Sequence, residues 1–157
     1  MTDPHTIESA PATQSERAAL LTLMRDELAG RFDQITRLMG LTWPQFEALY
    51  ESRGDVRTLK CSGARVGYYW IEQRGRELHL HALFVLPEHR GRGVGSAALR
   101  GLEEEFRGSV DVIELGVEQD NSRAKSLYER CGFQVTRVLP ELGFEIMRKR
   151  LGGEPAK

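Results

Sequence analysis

From Leu83 to Ser96 the chain reads Leu-Phe-Val-Leu-Pro-Glu-His-Arg-Gly-Arg-Gly-Val-Gly-Ser. A β-rich run breaks into glycines at alternate positions, Gly91, Gly93 and Gly95, and a helical pattern starts at once. Alternate glycines remove the side chains that would hold a ligand off the backbone, leaving the N–H groups of Gly91, Arg92, Gly93, Val94, Gly95 and Ser96 free to converge. The same groups head a helix, whose positive dipole end favours an anion. Arg90 and Arg92 add fixed positive charge. A merely tight turn would use the glycines for positive φ and would not need the arginines, so an anion-binding turn is expected. No Gly-Lys-Ser/Thr triplet follows, which excludes a P-loop. Gly93, Gly95 and Ala98 fit the dinucleotide pattern G-x-G-x-x-A, but that pattern opens the first crossover of a parallel sheet. Here three strand-like runs come first, and a nicotinamide-dependent oxidoreductase is the remote alternative.

The segments around this turn change period in a definite order. A short strand is expected near Thr6–Ser9. Thr13-Gln14-Ser15-Glu16 is a capping box opening a helix with Leu20, Leu23, Met24 and Leu28 on one stripe. Phe32, Ile35 and Met39 suggest a second short helix stopped by Gly40. Thr42-Trp43-Pro44-Gln45 is another capping box, with proline in the first turn where no N–H is needed, and its helix carries Phe46, Leu49 and Tyr50. Strands are predicted at Val56–Cys61, Val66–Glu72 and Glu77–Leu86, joined by short glycine-bearing turns that imply an antiparallel meander. A helix from Gly93 to Arg107, a strand at Asp111–Glu118, a helix at Asn121–Cys131 and a closing hairpin (Phe133–Leu139, Phe144–Leu151) complete the pattern. One strand–helix–strand crossover inside a mostly antiparallel sheet gives a mixed α/β, or α+β, class.

The chain has 157 residues, the length of one compact domain, read as residues 1–151 with a fraying tail at 152–157. Lys and Arg number 22 against 23 Asp and Glu, so the basic excess of a general nucleic-acid binder is missing. No apolar run is long enough to span a membrane, and the polar start lacks the features of a signal peptide; a soluble, cytoplasmic protein is expected. Cys61 and Cys131 form no CxxC pair and are expected as two buried, reduced thiols. No metal is expected. Glu103-Glu104-Glu105 reads as a solvated helix face.

Arg90-Gly91-Arg92-Gly93-Val94-Gly95 resembles the Q/R-x-x-G-x-G/A signature of the GNAT superfamily of N-acetyltransferases. Asn121-Ser122-Arg123-Ala124-Lys125-Ser126-Leu127-Tyr128-Glu129-Arg130-Cys131-Gly132-Phe133 is similar to that family's next block, N-x-x-A-x-x-L-Y-x-x-x-G-F. The resemblance covers roughly residues 56 to 150. It implies a central, mostly antiparallel sheet of six to seven strands flanked by helices, splayed between the fourth and fifth strands (Glu77–Leu86 and Asp111–Glu118). It also implies acetyl-CoA as co-substrate, its pyrophosphate on the amides of Gly91 to Ser96 and its pantetheine arm along Leu83, Phe84 and Val85, with Asn121 a further contact. The implied partner is an amine-bearing acceptor. Dimerisation is common in the family, although no apolar stripe marks an interface here.

Acyl transfer from a thioester to an amine needs a neutral nucleophile, a donor to the carbonyl oxygen and a proton for the departing thiolate. Tyr128, at the family's tyrosine position, is the candidate proton donor, and a backbone N–H near Val85 the candidate oxyanion donor. His79 and His81 lie two apart on a strand, so both rings are expected on one face together with Leu83 and Val85. They resemble the histidine pair of arylalkylamine N-acetyltransferases and are candidate bases; Glu72, Glu77 and Glu118 are carboxylate alternatives. Relatives that acetylate protein N-termini place a glutamate five residues before the asparagine, where this chain has Gly116. A non-catalytic acyl-CoA-binding module is the other alternative. Trp43, Phe46, Tyr50, Tyr69 and Trp70 read as core rather than as an acceptor pocket.

Overall fold

The computed structural model describes residues 6–38 and 40–151, with 27–38 given as backbone alone. The expected roles of the Leu28, Phe32 and Ile35 side chains, of Met39 and of the 152–157 tail lie outside the described residues. Strand β1 (Glu8–Pro11) leads to helices α1 (Gln14–Leu38) and α2 (Trp43–Ser52), then to β2 (Asp55–Cys61), β3 (Ala64–Arg74) and β4 (Glu77–Val85). Helix α3 (Val94–Phe106), β5 (Val112–Glu118), α4 (Ser122–Arg130), β6 (Gln134–Leu139) and β7 (Phe144–Arg150) follow. The strands form one sheet in the order β1-β2-β3-β4-β5-β7-β6. Its pairings are antiparallel except for β4 with β5, the crossover carrying the glycine turn and α3.

Local chemistry sets the helix starts. Thr13 Oγ1 accepts from the Glu16 N–H while Glu16 accepts from the Thr13 N–H, and Thr42 and Gln45 make the same reciprocal pair. The expected break between two N-terminal helices does not occur: α1 runs unbroken through Gly30. A single glycine costs about 1 kcal/mol against alanine, and without a following cap or proline it does not end a helix.

The sheet separates two cores. On one face α3 and α4 pack Ala98, Leu99, Leu102 and Tyr128 against Ile71, Leu78, Leu80, Ile113, Leu115 and Met147. On the other, α1 and α2 bring Leu20 and Tyr50 against Val56, Tyr68 and Trp70. Tyr50, Tyr69 and Trp70 are therefore core side chains. Glu103 is not part of a solvated face: it is buried and accepts from Lys149 Nζ at 2.5 Å, while Lys149 also donates to the Cys131 carbonyl. An i+3/i+4 stripe ending at Leu102 turns Glu103 inward at its edge, where a cation from β7 meets it. Neither Cys61 nor Cys131 is in a disulfide, and both are half-buried rather than buried. Among the described residues, no helix is long and apolar enough to cross a membrane.

Candidate active site

The site starts from the parallel pair. Strands β4 and β5 stay in register from Glu77↔Val112 to Leu80↔Leu115 and then part. His81 and Gly116 are thus the first residues beyond the paired region, one on each side of the fork.

An extra residue in β4 prepares the fork. Trp70 of β3 pairs with Ala82 and Ile71 with Leu80, leaving His81 as a bulge. A bulge interrupts the two-residue alternation and re-aims the side chains that follow. Leu78 and Leu80 face the α3–α4 core before it, and Leu83 and Val85 face that core after it, while Ala82, Phe84 and Leu86 face α1–α2. The expectation that both histidines share a face with Leu83 and Val85 is therefore wrong. Their rings stack at 6.3 Å, and His81 lies 4.5 Å from Trp70 on the α1–α2 side. The alternation rule fails because it assumes an unbroken ladder.

Beyond the bulge the backbone itself is presented. The Leu86 N–H donates to the Val66 carbonyl at 2.8 Å. Since antiparallel ladders alternate, the peptide groups of Phe84 also face β3 and those of Leu83 and Val85 face the opening. Close β3–β4 approach holds this edge: a Cβ on Gly67 would lie 2.3 Å from the Phe84 carbonyl oxygen.

A cleft of about 430 Å³ continues from the opening, lined by Leu83, Phe84 and Val85, by Arg90, Gly91, Gly93, Val94, Gly95 and Ser96, and by Asn121 and Tyr128. Gly91 and Gly93 have φ of +76° and +78°, the left-handed region, and a Cβ on either would meet no heavy atom within 4 Å. Gly93 caps α3 without any side-chain hydrogen bond, and the first intrahelical bond runs from the Ala97 N–H to the Gly93 carbonyl. The N–H groups of Val94, Gly95 and Ser96 are thus left over at the helix start. Open space, uncommitted amides and the dipole suit a diphosphate. Gly95 differs from its neighbours, because a Cβ there would come 2.8 Å from Leu127 Cδ2; it serves the contact between α3 and α4.

The arginines divide differently from expectation. Arg92 is not among the cleft-lining residues. Arg90 lines it, but its Nε donates to the Val85 carbonyl at 2.9 Å and its guanidinium lies over Phe84, so it fastens the strand end. Positive charge also comes from Arg123 and Arg130 of α4, with His89 beside the turn. The sequence reading missed these three together with Ala124 and Leu127 as cleft residues. Helical periodicity was the available signal, since 123, 127 and 130 follow i, i+4, i+7 spacing.

Tyr128 contributes the far wall. Asn121 caps α4, accepting from the Ala124 N–H at 3.1 Å, and the helix delivers Tyr128 edge-on to Phe133 at 5.9 Å. Burial pushes the phenol up to about 12, so it holds its proton throughout the neutral range.

On the opposite face charges gather around the histidines. His81 Nε2 lies 2.8 Å from Glu72 Oε1, and Arg74 donates to that same oxygen at 2.9 Å. The Arg74 hydrogen bond, aided by His81, holds the Glu72 carboxyl down at about 2. Burial lowers the His81 imidazole below its ordinary value, outweighing the opposite pull of Glu72. His79 stands 3.5 Å from Glu114 and 3.6 Å from Glu77, both paired to Arg148. Neither histidine lines the cleft on the α3–α4 side.

A family model described as the acetyltransferase (GNAT) family matches residues 23–133. An N-alpha-acetyltransferase RimI from Mycobacterium tuberculosis is 39% identical over 79 residues, covering 48% of this chain and 49% of the relative. A mycothiol acetyltransferase from Clavibacter michiganensis is 36% identical over 79 residues, 50% of this chain and 26% of that protein. The chain thus spans about a quarter to a half of the length of these curated relatives. Among solved structures, an N-acetyltransferase from Thermoplasma acidophilum in complex with coenzyme A superposes with a TM-score of 0.61 at 16% identity, covering 92% of this chain and 99% of the other.

Proposed function

The chain belongs to the acetyltransferase (GNAT) family, and from that premise we propose that it moves an acetyl group from acetyl-CoA to a primary amine by direct attack. The observation that carries this reading is the fork: an amide-lined cleft with Tyr128 on its wall opens where β4 and β5 part, at His81 and Gly116. Acetyl-CoA, as co-substrate, supplies the activated acyl thioester. The amides of Gly91 to Ser96 hold its diphosphate, with Arg123 and Arg130 adding charge. The exposed peptide group of Leu83 pairs with the pantetheine arm, and the Val85 N–H, whose residue's carbonyl is already held by Arg90, polarises the thioester carbonyl.

An alkylammonium with a pKa near ~10.4 must lose a proton before it attacks. His81 takes that proton. It is two residues from Leu83 along the strand, about 7 Å at ~3.3 Å per residue, and is uncharged at neutral pH because burial lowers it. Gly116 supplies no carboxylate at the fork itself, where β4 brings His81. His79 supports His81 through the stacked contact. Tyr128 gives its proton to the departing thiolate. Two carriers on opposite sides of the reacting carbon let one proton be removed as another is delivered.

The test is release of free coenzyme A thiol by the purified chain over a panel of primary amines, beside calorimetric titration with coenzyme A. Amine-dependent release with saturable binding is expected. Binding without release from any amine would favour a non-catalytic acyl-CoA module; failure to bind would remove the reading altogether.

A further inference from the structure

A neutral imidazole has one N–H and one lone pair, and whichever nitrogen is engaged by an acceptor keeps the hydrogen. Glu72 can only accept, because Arg74 holds it ionised on the same oxygen that faces His81 Nε2. We propose that Glu72 is a positioning residue of this site: its carboxylate, anchored by Arg74, accepts the Nε2–H of His81 and leaves Nδ1 as the nitrogen that receives the acceptor's proton. The inference rests on the reading of His81 as the base.

Three observations besides the hydrogen bond support it. Trp70 packs against the His81 ring at 4.5 Å and His79 stacks on it, so the ring plane is held while Glu72 fixes its rotation. The β4 bulge places His81 on the same face as Glu72, across the β3–β4 pair. Arg74 and Glu72 are two residues apart on β3 and share that face by strand alternation. The proton taken at Nδ1 makes an imidazolium whose second N–H already points at a carboxylate, so charge develops beside a counter-charge rather than in a half-buried apolar wall. Charged and titratable groups around the ring are Glu72 and Arg74 on β3 and His79 on β4, with Glu77 on β4, Glu114 on β5 and Arg148 on β7 gathered about His79. Of these, Glu72 is the group hydrogen-bonded to His81.

The test is two-bond proton–nitrogen correlation NMR on the full chain with ¹⁵N-labelled histidine, recorded across pH. The chain has four histidines, and a His81→Gln spectrum assigns the resonance. The expected wild-type pattern is a single Nε2–H tautomer at His81. In Glu72→Ala the tautomer becomes mixed and the titration moves to lower pH; kcat falls at least ~10-fold with the KM for acetyl-CoA unchanged. Glu72→Gln, which keeps a hydrogen-bond acceptor without the charge, retains the tautomer, recovers part of kcat and still shows the lowered titration. A purely structural role would lower the melting temperature without moving the titration. An Nδ1–H tautomer in the wild type, or an unchanged tautomer and titration in Glu72→Ala, overturns the inference. The underlying reading is judged separately: His81→Gln with wild-type kcat removes His81 as the base, whatever the spectra report about Glu72.

Discussion

Gly95 and Leu127 touch so closely that a methyl group on the glycine would force Leu127 to move: a Cβ on Gly95 would stand 2.8 Å from Leu127 Cδ2. The third glycine of the turn thereby sets how near α4 comes to α3, and with it the width of the cleft between Tyr128 and the helix start. Gly95→Ala is expected to lower stability by about 1–3 kcal/mol, the usual cost of overpacking. Leu127 can rotate in part, so the chain folds, and thermal unfolding should show a lower melting temperature together with weaker coenzyme A binding. An unaltered melting temperature would mean that Leu127 swings aside freely.

Gly67 poses a harder version of the same problem. A Cβ there would meet the Phe84 carbonyl oxygen at 2.3 Å and the Val85 Cα at 3.2 Å. Both are backbone atoms in a paired strand and cannot rotate away. Gly67→Ala is expected to cost more than Gly95→Ala, above about 3 kcal/mol, and to disturb the β4 edge beside the cleft. Chemical denaturation of the two variants side by side checks the ranking; a smaller loss for Gly67→Ala would contradict the close-approach argument.

These two glycines show what could be read from the sequence and what could not. The strand–turn–helix around Gly91 to Gly95, both capping boxes and the Ala124–Leu127–Tyr128 stripe were legible, because each depends on residues within a few positions of one another. The seven-stranded sheet with its parallel pair at the fork followed from element order and the family resemblance. The orientation of His79 and His81 was not legible. It depends on one unpaired residue in β4, and a bulge is a property of two strands in register rather than of one sequence. The role of Arg90 was hidden for a related reason: an arginine beside glycines reads as anion-binding until the neighbouring Val85 carbonyl is seen to take its Nε. Glu103 looked solvated because its partner, Lys149, is 46 residues away.

Gly93 tests the cradle. Its φ of +78° strains any residue with a side chain, although a Cβ would meet no protein atom within 4 Å. Gly93→Val is therefore expected to fold with a modest loss of stability, and to lose coenzyme A affinity by at least ~10-fold, because the branched side chain fills the space above the leftover amides. Circular dichroism and calorimetry on the same sample separate the two effects. Unchanged affinity in a folded variant would place the diphosphate elsewhere.

The two proposed proton carriers, His81 and Tyr128, predict the pH profile with definite signs. Burial lowers His81, so it is deprotonated and competent as a base from below pH 6.5 upward. The acidic limb of kcat/KM should therefore lie below 6.5, and in His81→Gln that limb should vanish along with most of the rate. Glu72, held at about 2, stays ionised across the assay range and contributes no limb of its own. An acidic limb above 6.5 would be inconsistent with His81 acting from its buried position.

Tyr128 carries the last prediction. Its phenol, pushed up to about 12, remains protonated throughout any practical assay, so no basic limb below pH ~10 should come from it. Tyr128→Phe deletes one oxygen from a ring otherwise packed edge-on against Phe133, so the wall of the cleft keeps its shape. With the binding surface intact and the proposed proton donor gone, kcat should fall by at least ~10-fold while the KM for acetyl-CoA stays put, as for an interaction made in the transition state alone. The residual rate should recover in part with acyl donors whose leaving thiol is more acidic, since a better leaving group needs the proton less. Equal kcat in wild type and Tyr128→Phe would reduce the residue to packing and leave protonation of the thiolate to solvent.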